Sequence, residues 1–155
     1  MSSNRSEVVR IGSTPLQPPL LEQEFMATLD EQAGGVVCFT GRVRQDAQGQ
    51  PEALFLEHYP GMTERIIQQH VLNACQRFTL LQVQIQHRIG KIAAGEAIVW
   101  VAVAAVHRRQ AFEGCAFLMD FLKTEAPLWK KNMGNEAAWV ESRPEDQQAK
   151  ALWLL

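Results

Sequence analysis

Cysteine is scarce in this chain and never paired in a motif. Cys38, Cys75 and Cys115 stand far apart, each among apolar neighbours. No Cys-x-x-Cys pair and no histidine cluster at zinc spacing accompanies them, so no disulfide scaffold, metal or other cofactor is expected. The three read as small buried residues in a reducing compartment. Long apolar runs are also missing: no stretch of about 18 apolar residues offers a membrane span. The segment Met1-Ser2-Ser3-Asn4-Arg5-Ser6-Glu7 is polar and lacks the apolar core of a signal peptide, so the cytoplasm is the expected location. Charge of one sign is not in excess either, because 15 Lys and Arg against 17 Asp and Glu leave a net charge of −2. Nothing global then recruits nucleic acid or an anionic membrane, and any anion site must be local. A P-loop, a Rossmann glycine fingerprint, a Ser/His/Asp order, internal repeats and low-complexity segments are all absent.

What remains is an ordinary globular composition, 46% hydrophobic and 21% charged over 155 residues. Such a length is expected to form one domain, 1–155, burying about 68–70% of its unfolded surface. Residues 8–12 read as a short edge strand, followed by an extended connector at Pro15, Pro18 and Pro19. Leu21, Phe25 and Leu29 carry helical spacing over about 20–32, stopped by Gly34-Gly35. Residues 36–44 and 53–58 are rich in β-branched and aromatic residues and read as strands. An amphipathic helix is predicted over 62–78, with Ile66, Ile67, His70, Val71 and Ala74 as its buried stripe. Leu81, Val83, Ile85, His87 and Ile89 alternate with polar residues, predicting a half-buried strand. Residues 90–96 read as a turn, the nearly wholly apolar 97–106 as the central strand, and 108–126 as a helix. Short strands near 128–133 and 137–141 are expected to pair across Gly134-Asn135, and the polar tail 144–155 to be helical or loosely ordered. The pattern is α+β: helices packed on a mainly antiparallel sheet.

Pro127 carries the most information about chemistry. It cannot continue the preceding helix and it biases Ala126 away from the helical region. Lys123 therefore belongs to a last helical turn and Lys130 to an extended segment beyond the break, beside apolar Leu128 and Trp129. A lysine near apolar surface and other cations loses its proton more easily, which suits a nucleophile or a proton shuttle. The alternative is a pair of solvated surface charges, one of them suiting a helix C-terminus. Arg42 and Arg44 share one face of a strand end, where an arriving anion would relieve their repulsion; a plain exposed pair is equally open. His107-Arg108-Arg109 stands where the central strand gives way to a helix. Cations oppose the macrodipole there by roughly 0.3–1 kcal/mol each, and no Ser, Thr, Asp or Asn caps the helix. A phosphate would satisfy the free N–H groups and the arginines together; waters or a carboxylate would also serve. His58 and His87, each in a strand pattern, read as structural.

Taken in order, these segments resemble a known family. Phe39-Thr40-Gly41-Arg42-Val43-Arg44, Leu56-Glu57-His58-Tyr59-Pro60-Gly61-Met62, His87-Arg88-Ile89-Gly90 and His107-Arg108 are followed by Lys123-Thr124-x-Ala126-Pro127-x-Trp129-Lys130 and Trp139-Val140-Glu141-x-Arg143. Over 34–143 the chain resembles the large, catalytic subunit of molybdopterin synthase. The resemblance implies an α/β hammerhead-type fold with an additional small antiparallel sheet. It implies a sulfurtransferase that converts precursor Z, cyclic pyranopterin monophosphate, into molybdopterin by installing its dithiolene. The sulfur would arrive as a thiocarboxylate on the C-terminal Gly-Gly tail of a small ubiquitin-like subunit. A central homodimer would sit within a heterotetramer, with some site residues supplied across the dimer interface.

Carried over by position, the resemblance makes Lys123, Lys130 and Arg44 catalytic. It makes Arg42, Val43, Arg44, His107, Arg108, Lys123, Lys130, Lys131, Asn132 and Arg143 substrate-binding. Arg42 stands where a Lys is frequent, which keeps the charge; Asn132 stands where a Glu is frequent and leaves the lysines untouched. Two anionic reactants must meet in such a site, and a cationic cluster overcomes their repulsion. Two other classes compete. An adaptor for a ubiquitin-like tail would not need the cluster. A nucleic-acid module is disfavoured by the net charge and by the lack of aromatics interleaved with basic residues.

Overall fold

The computed structural model describes residues 6–45, 48, 53–132, 139–140 and 143–154. The elements among them are β1 (Ser6–Gly12), α1 (Pro18–Ala27), β2 (Gly35–Arg42), β3 (Leu54–His58), α2 (Met62–Phe78), β4 (Leu80–Arg88), β5 (Gly90–Ile92), β6 (Ala97–Ala105), α3 (Arg108–Thr124), β7 (Leu128–Asn132), β8 (Trp139–Val140) and α4 (Pro144–Leu152). The main sheet runs β1-β4-β6-β2, with β1 parallel to β4 and the other pairs antiparallel. A second sheet, β5-β3-β7-β8, is antiparallel throughout. The expected α+β class and the additional small sheet are both present.

The apolar run of β6 places it inside the main sheet, buried on both faces. On one face Val99, Val101, Val103 and Ala105 join Val83 and Ile85 of β4 beneath α2 and α3. Strand alternation turns Trp100, Ala102 and Ala104 to the other face, against Phe25 of α1. The Phe25 and Trp100 rings meet edge to face at 6.1 Å. A third cluster, Val43, Leu56, Ile92 and Ile98, holds the small sheet to the large one.

Several sequence expectations shift. β4 is more than half-buried: Gln84 and Gln86 are partly covered, and Gln82 is only 6% exposed with its amide donating to Thr28 Oγ1. β1 and β6 flank that strand and Thr28, just past α1, meets Gln82 on its second face, which an alternating pattern does not reveal. The first helix ends at Ala27 rather than near Gln32. There the Asp30 carboxylate accepts the Gln32 N–H at 2.7 Å, an Asx turn that competes with helix continuation. The 90–96 turn contains β5, which pairs with β3. β2 stops at Arg42, not Arg44, at a register shift between Gly41 and Arg42. β7 and β8 pair as expected, and the Gly134-Asn135 turn lies outside the described residues. The tail is helical, and Trp153 seats it: its Nε1 donates to Asp120 Oδ2 at 2.6 Å and its ring meets Phe78 and Phe117 edge to face.

Candidate active site

The bend at Pro127 is built by three backbone arrangements. α3 closes with the Glu125 N–H on the Phe121 carbonyl at 2.8 Å. The Leu128 N–H reaches back to the Ala126 carbonyl at 2.7 Å, a three-residue turn centred on Pro127. The Pro127 carbonyl then accepts from the Thr63 hydroxyl at 3.0 Å, while that hydroxyl accepts the Tyr59 N–H at 3.0 Å. Thr63 is fully buried at the start of α2, so the bend is anchored to a second helix. Beyond it the chain enters β7, where Lys130 lies opposite Leu56 of β3. Lys123 thus stands in the last turn of α3 and Lys130 on a strand, as the sequence implied.

The two lysines face one open cleft with about 570 Å³ of free space. Arg42 and His87 line it with them, among apolar Phe39, Ile98, Val99, Met119, Leu122 and Leu128. Burial and the adjoining Lys123 ammonium, which is within hydrogen-bonding reach, lower the Lys130 pKa to about 8; Arg143 adds to this and Asp146 opposes it. An amine with that pKa is partly neutral near pH 7.5 and can exchange a proton there. Burial also lowers the His87 pKa, to about 4, with Lys130, Lys123 and His58 adding to the effect and a hydrogen bond with the Arg88 carbonyl opposing it. Arg42 is held by its Nε, which donates to the Gly95 carbonyl at 3.1 Å.

The remaining expected site residues lie elsewhere. Arg44 is exposed just past the end of β2 and is not on the cleft wall. Val43 is a core residue, 2% exposed in the cluster with Leu56, Ile92 and Ile98, and its N–H and carbonyl are engaged by Glu96 and Gly95. Arg143 caps α4 beside Asp146, with 3.6 Å between Nε and Oδ2. The backbones of Lys131 and Asn132 pair with Phe55 and Leu54, and their side chains lie outside the described residues. His107 and Arg108 open α3, with no side-chain cap and no acidic residue in the first turn. Arg109 is paired with Glu113 at 3.3 Å. At 1.5 Å rise per residue, the fifteen residues from Arg108 to Lys123 span about 22 Å. One copy of the chain therefore does not bring the His107-Arg108 pair to the lysines.

Three cleft residues escaped sequence reasoning. Phe39 and Met119 read as ordinary apolar positions of a strand and a helix. His87 read as structural, yet it continues the row Val83-Ile85 on the face covered by α3, where one more apolar residue would be the default.

The chain is similar to proteins whose roles are named. Residues 13–125 match the model of the family described as MoaE protein. The molybdopterin synthase catalytic subunit of Caulobacter vibrioides is 45% identical over 147 residues, 94% of this chain and 97% of that protein. The molybdopterin synthase catalytic subunit of Escherichia coli K12 is 47% identical over 134 residues, 85% of this chain and 89% of that protein. Among solved structures, the molybdopterin biosynthesis MoaE protein from Burkholderia ambifaria superposes with a TM-score of 0.81 at 37% identity, covering 96% of this chain and 99% of that one. Fold, motif order and these likenesses agree, and the chain belongs to the MoaE family, the catalytic subunits of molybdopterin synthase.

Proposed function

We propose that this chain transfers sulfur, at the cleft of Lys123 and Lys130, from the thiocarboxylated C-terminal tail of a small ubiquitin-like subunit to precursor Z, forming the dithiolene of molybdopterin. The observation that carries the reading is the meeting of two lysines and Arg42 in one cleft, with Lys130 held near pKa 8. Lys123, cationic, holds the thiocarboxylate and the substrate in reach of each other. Lys130, partly neutral, moves a proton as the cyclic phosphate opens.

Arg42 contributes charge on the cleft wall. Arg44, Lys131, Asn132 and Arg143 complete the substrate-binding set, with Arg143 near enough to Lys130 to lower its pKa. The uncapped start of α3 suits a phosphate, which His107 and Arg108 would neutralise. Since about 22 Å of helix separates that pair from Lys123 in one copy, the phosphate end of each site comes from the second copy in a homodimer. With two small subunits the assembly is a heterotetramer. The chain works as one domain over 1–155.

The cytoplasm is the proposed location. No helix among the described residues is long and apolar enough to cross a membrane, and Cys38, Cys75 and Cys115 form no disulfide.

Reconstitution tests the reading. The chain, a thiocarboxylated small subunit and precursor Z are combined, and dithiolene product is measured. Product with the wild-type chain and its loss with Lys123→Ala are expected. Near-normal product with Lys123→Ala would sink the assignment. Failure to bind a phosphorylated pterin, with tail binding intact, would favour a non-catalytic adaptor.

A further inference from the structure

Arg42 stands where its strand departs from the regular ladder. β2 and β6 pair in steady register up to Gly41, and the register shifts between Gly41 and Arg42. From there the chain is gripped by the 93–96 turn between β5 and β6. The Gly95 carbonyl accepts from Arg42 Nε at 3.1 Å. The Gly95 N–H donates to the Val43 carbonyl at 2.7 Å, and the Glu96 carbonyl accepts the Val43 N–H at 3.0 Å. The turn is costly to order, because Gly95 has a φ of 87° and glycine loses more backbone freedom on folding than any other residue. Its outside tie is Arg88, at the end of β4, an inner strand of the main sheet. Arg88 Nη1 donates to Glu96 Oε2, and Arg88 Nη2 donates to the Lys91 carbonyl at 3.2 Å. Glu96 Oε1 accepts the Ala93 N–H at 3.2 Å, which closes the turn on itself. Arg88 is only 8% exposed, so loss of its carboxylate would leave a buried charge uncompensated.

We propose that Arg88 and Glu96 are positioning residues for substrate binding that act through Arg42: their ion pair fixes the 93–96 turn, and the Gly95 carbonyl then holds Arg42 Nε so that its two Nη amino groups meet an anion in the cleft. Arg42 lines that cleft with Lys123 and Lys130. The bond to Gly95 engages Nε and not the Nη1–Nη2 fork, the part of a guanidinium that makes two-point contact with a phosphate. An arginine free to swing loses rotamer freedom when it meets an anion; one already held at Nε has lost it on folding. The inference deepens the proposed function and rests on Arg42 as one of its substrate-binding residues.

Two measurements test it. The first needs no ligand: hydrogen exchange of the Arg42 Nε–H, followed by nitrogen-15 NMR of the full chain. Wild type is expected to protect this proton, and Glu96→Ala to speed its exchange about tenfold. An unprotected Arg42 Nε–H in wild type overturns the proposal even if Glu96→Ala fails to fold, and so does an unchanged rate in a folded Glu96→Ala protein. The second is the affinity for precursor Z, measured by calorimetry without the small subunit. Glu96→Ala is expected to weaken binding about tenfold, and to weaken it no further in an Arg42→Ala background, because both changes remove one interaction. An equal loss from Glu96→Ala in both backgrounds would mark general loosening of the turn and overturns the proposal. A wild-type chain that does not bind precursor Z counts against the proposed function, and the exchange rates then decide the positioning role alone.

Discussion

The hydroxyl of Thr63 donates to the carbonyl oxygen of Pro127 at 3.0 Å, joining the first turn of α2 to the bend between α3 and β7. The Thr63 hydroxyl oxygen also accepts the Tyr59 N–H, so one buried side chain satisfies a donor and an acceptor sixty-eight residues apart in the chain. This contact sets where β7 begins, and hence where Lys130 stands relative to Lys123. Thr63→Val keeps the shape and removes the hydroxyl, leaving both backbone groups unpaired. A loss of about 2 kcal/mol in denaturant-unfolding stability is expected. Dithiolene formation should fall more steeply than the folded fraction, because the bend loosens.

His87 ties stability to pH in the acid range. Its folded pKa of about 4 lies below the unfolded value of 6.5. Below pH 6.5 the unfolded chain takes up a proton that the folded chain refuses, so stability falls as pH drops from 6.5 to 4. The full contribution is roughly 3 kcal/mol. Denaturation midpoints at pH 7 and 4.5, compared for wild type and His87→Gln, isolate it: the difference between the two proteins should shrink or reverse on acidification.

Lys130 acts in the opposite range. Its folded pKa of about 8 lies below the ordinary 10.5, so below pH 8 the fold carries a destabilised ammonium. The penalty is relieved as pH rises from 8 to 10.5, where the unfolded chain still holds the proton and the folded chain has released it. Lys130→Met is therefore expected to raise the melting temperature at pH 7 and to lose that advantage by pH 10.5. Product formation should fall at least a hundredfold, since a group held at a cost to stability is retained for its function. A Lys130→Met protein no more stable than wild type at pH 7 would contradict the assigned pKa.

Trp153 seats the C-terminal helix. Trp153 donates to Asp120 and packs on Phe78 and Phe117, and Arg77 donates to its carbonyl while its guanidinium lies 5.5 Å from the indole centroid. Lys150 pairs with Glu125 at 3.1 Å, the cap of α3 just after Lys123. Trp153→Ala is expected to cost about 3 kcal/mol and to release α4, which proteolysis near Pro144 would report.

Much of this was legible in the residues. The α2 boundaries at Met62 and Phe78, the central strand and the break at Pro127 follow from spacing and from proline chemistry, because each is local. The lysine placement followed in turn. The burial of Gln82 was not legible: it looks like part of a solvent face until Thr28, just past α1, takes its amide. β5 hid in a glycine-containing turn because three residues carry no periodicity. His87 was missed because a strand histidine is usually structural. The signal was its place in the row after Val83 and Ile85, which gains meaning only once α3 brings Lys123 and Met119 above it. The distance between the His107-Arg108 pair and Lys123 follows from helix length alone, yet its consequence for assembly needs the two ends to be seen on one helix.

The measurement that tests the account most directly is complementation between two inactive copies. Lys123→Ala and Arg108→Ala chains are each inactive, then mixed by co-refolding in equal amounts and assayed for dithiolene product with the small subunit and precursor Z. If each site joins Lys123 of one copy to Arg108 of the other, mixed dimers carry one intact site, and roughly a quarter of wild-type activity returns by random pairing, given the two-fold symmetry of such a dimer. No recovery in a mixture shown to contain mixed dimers would contradict the shared site.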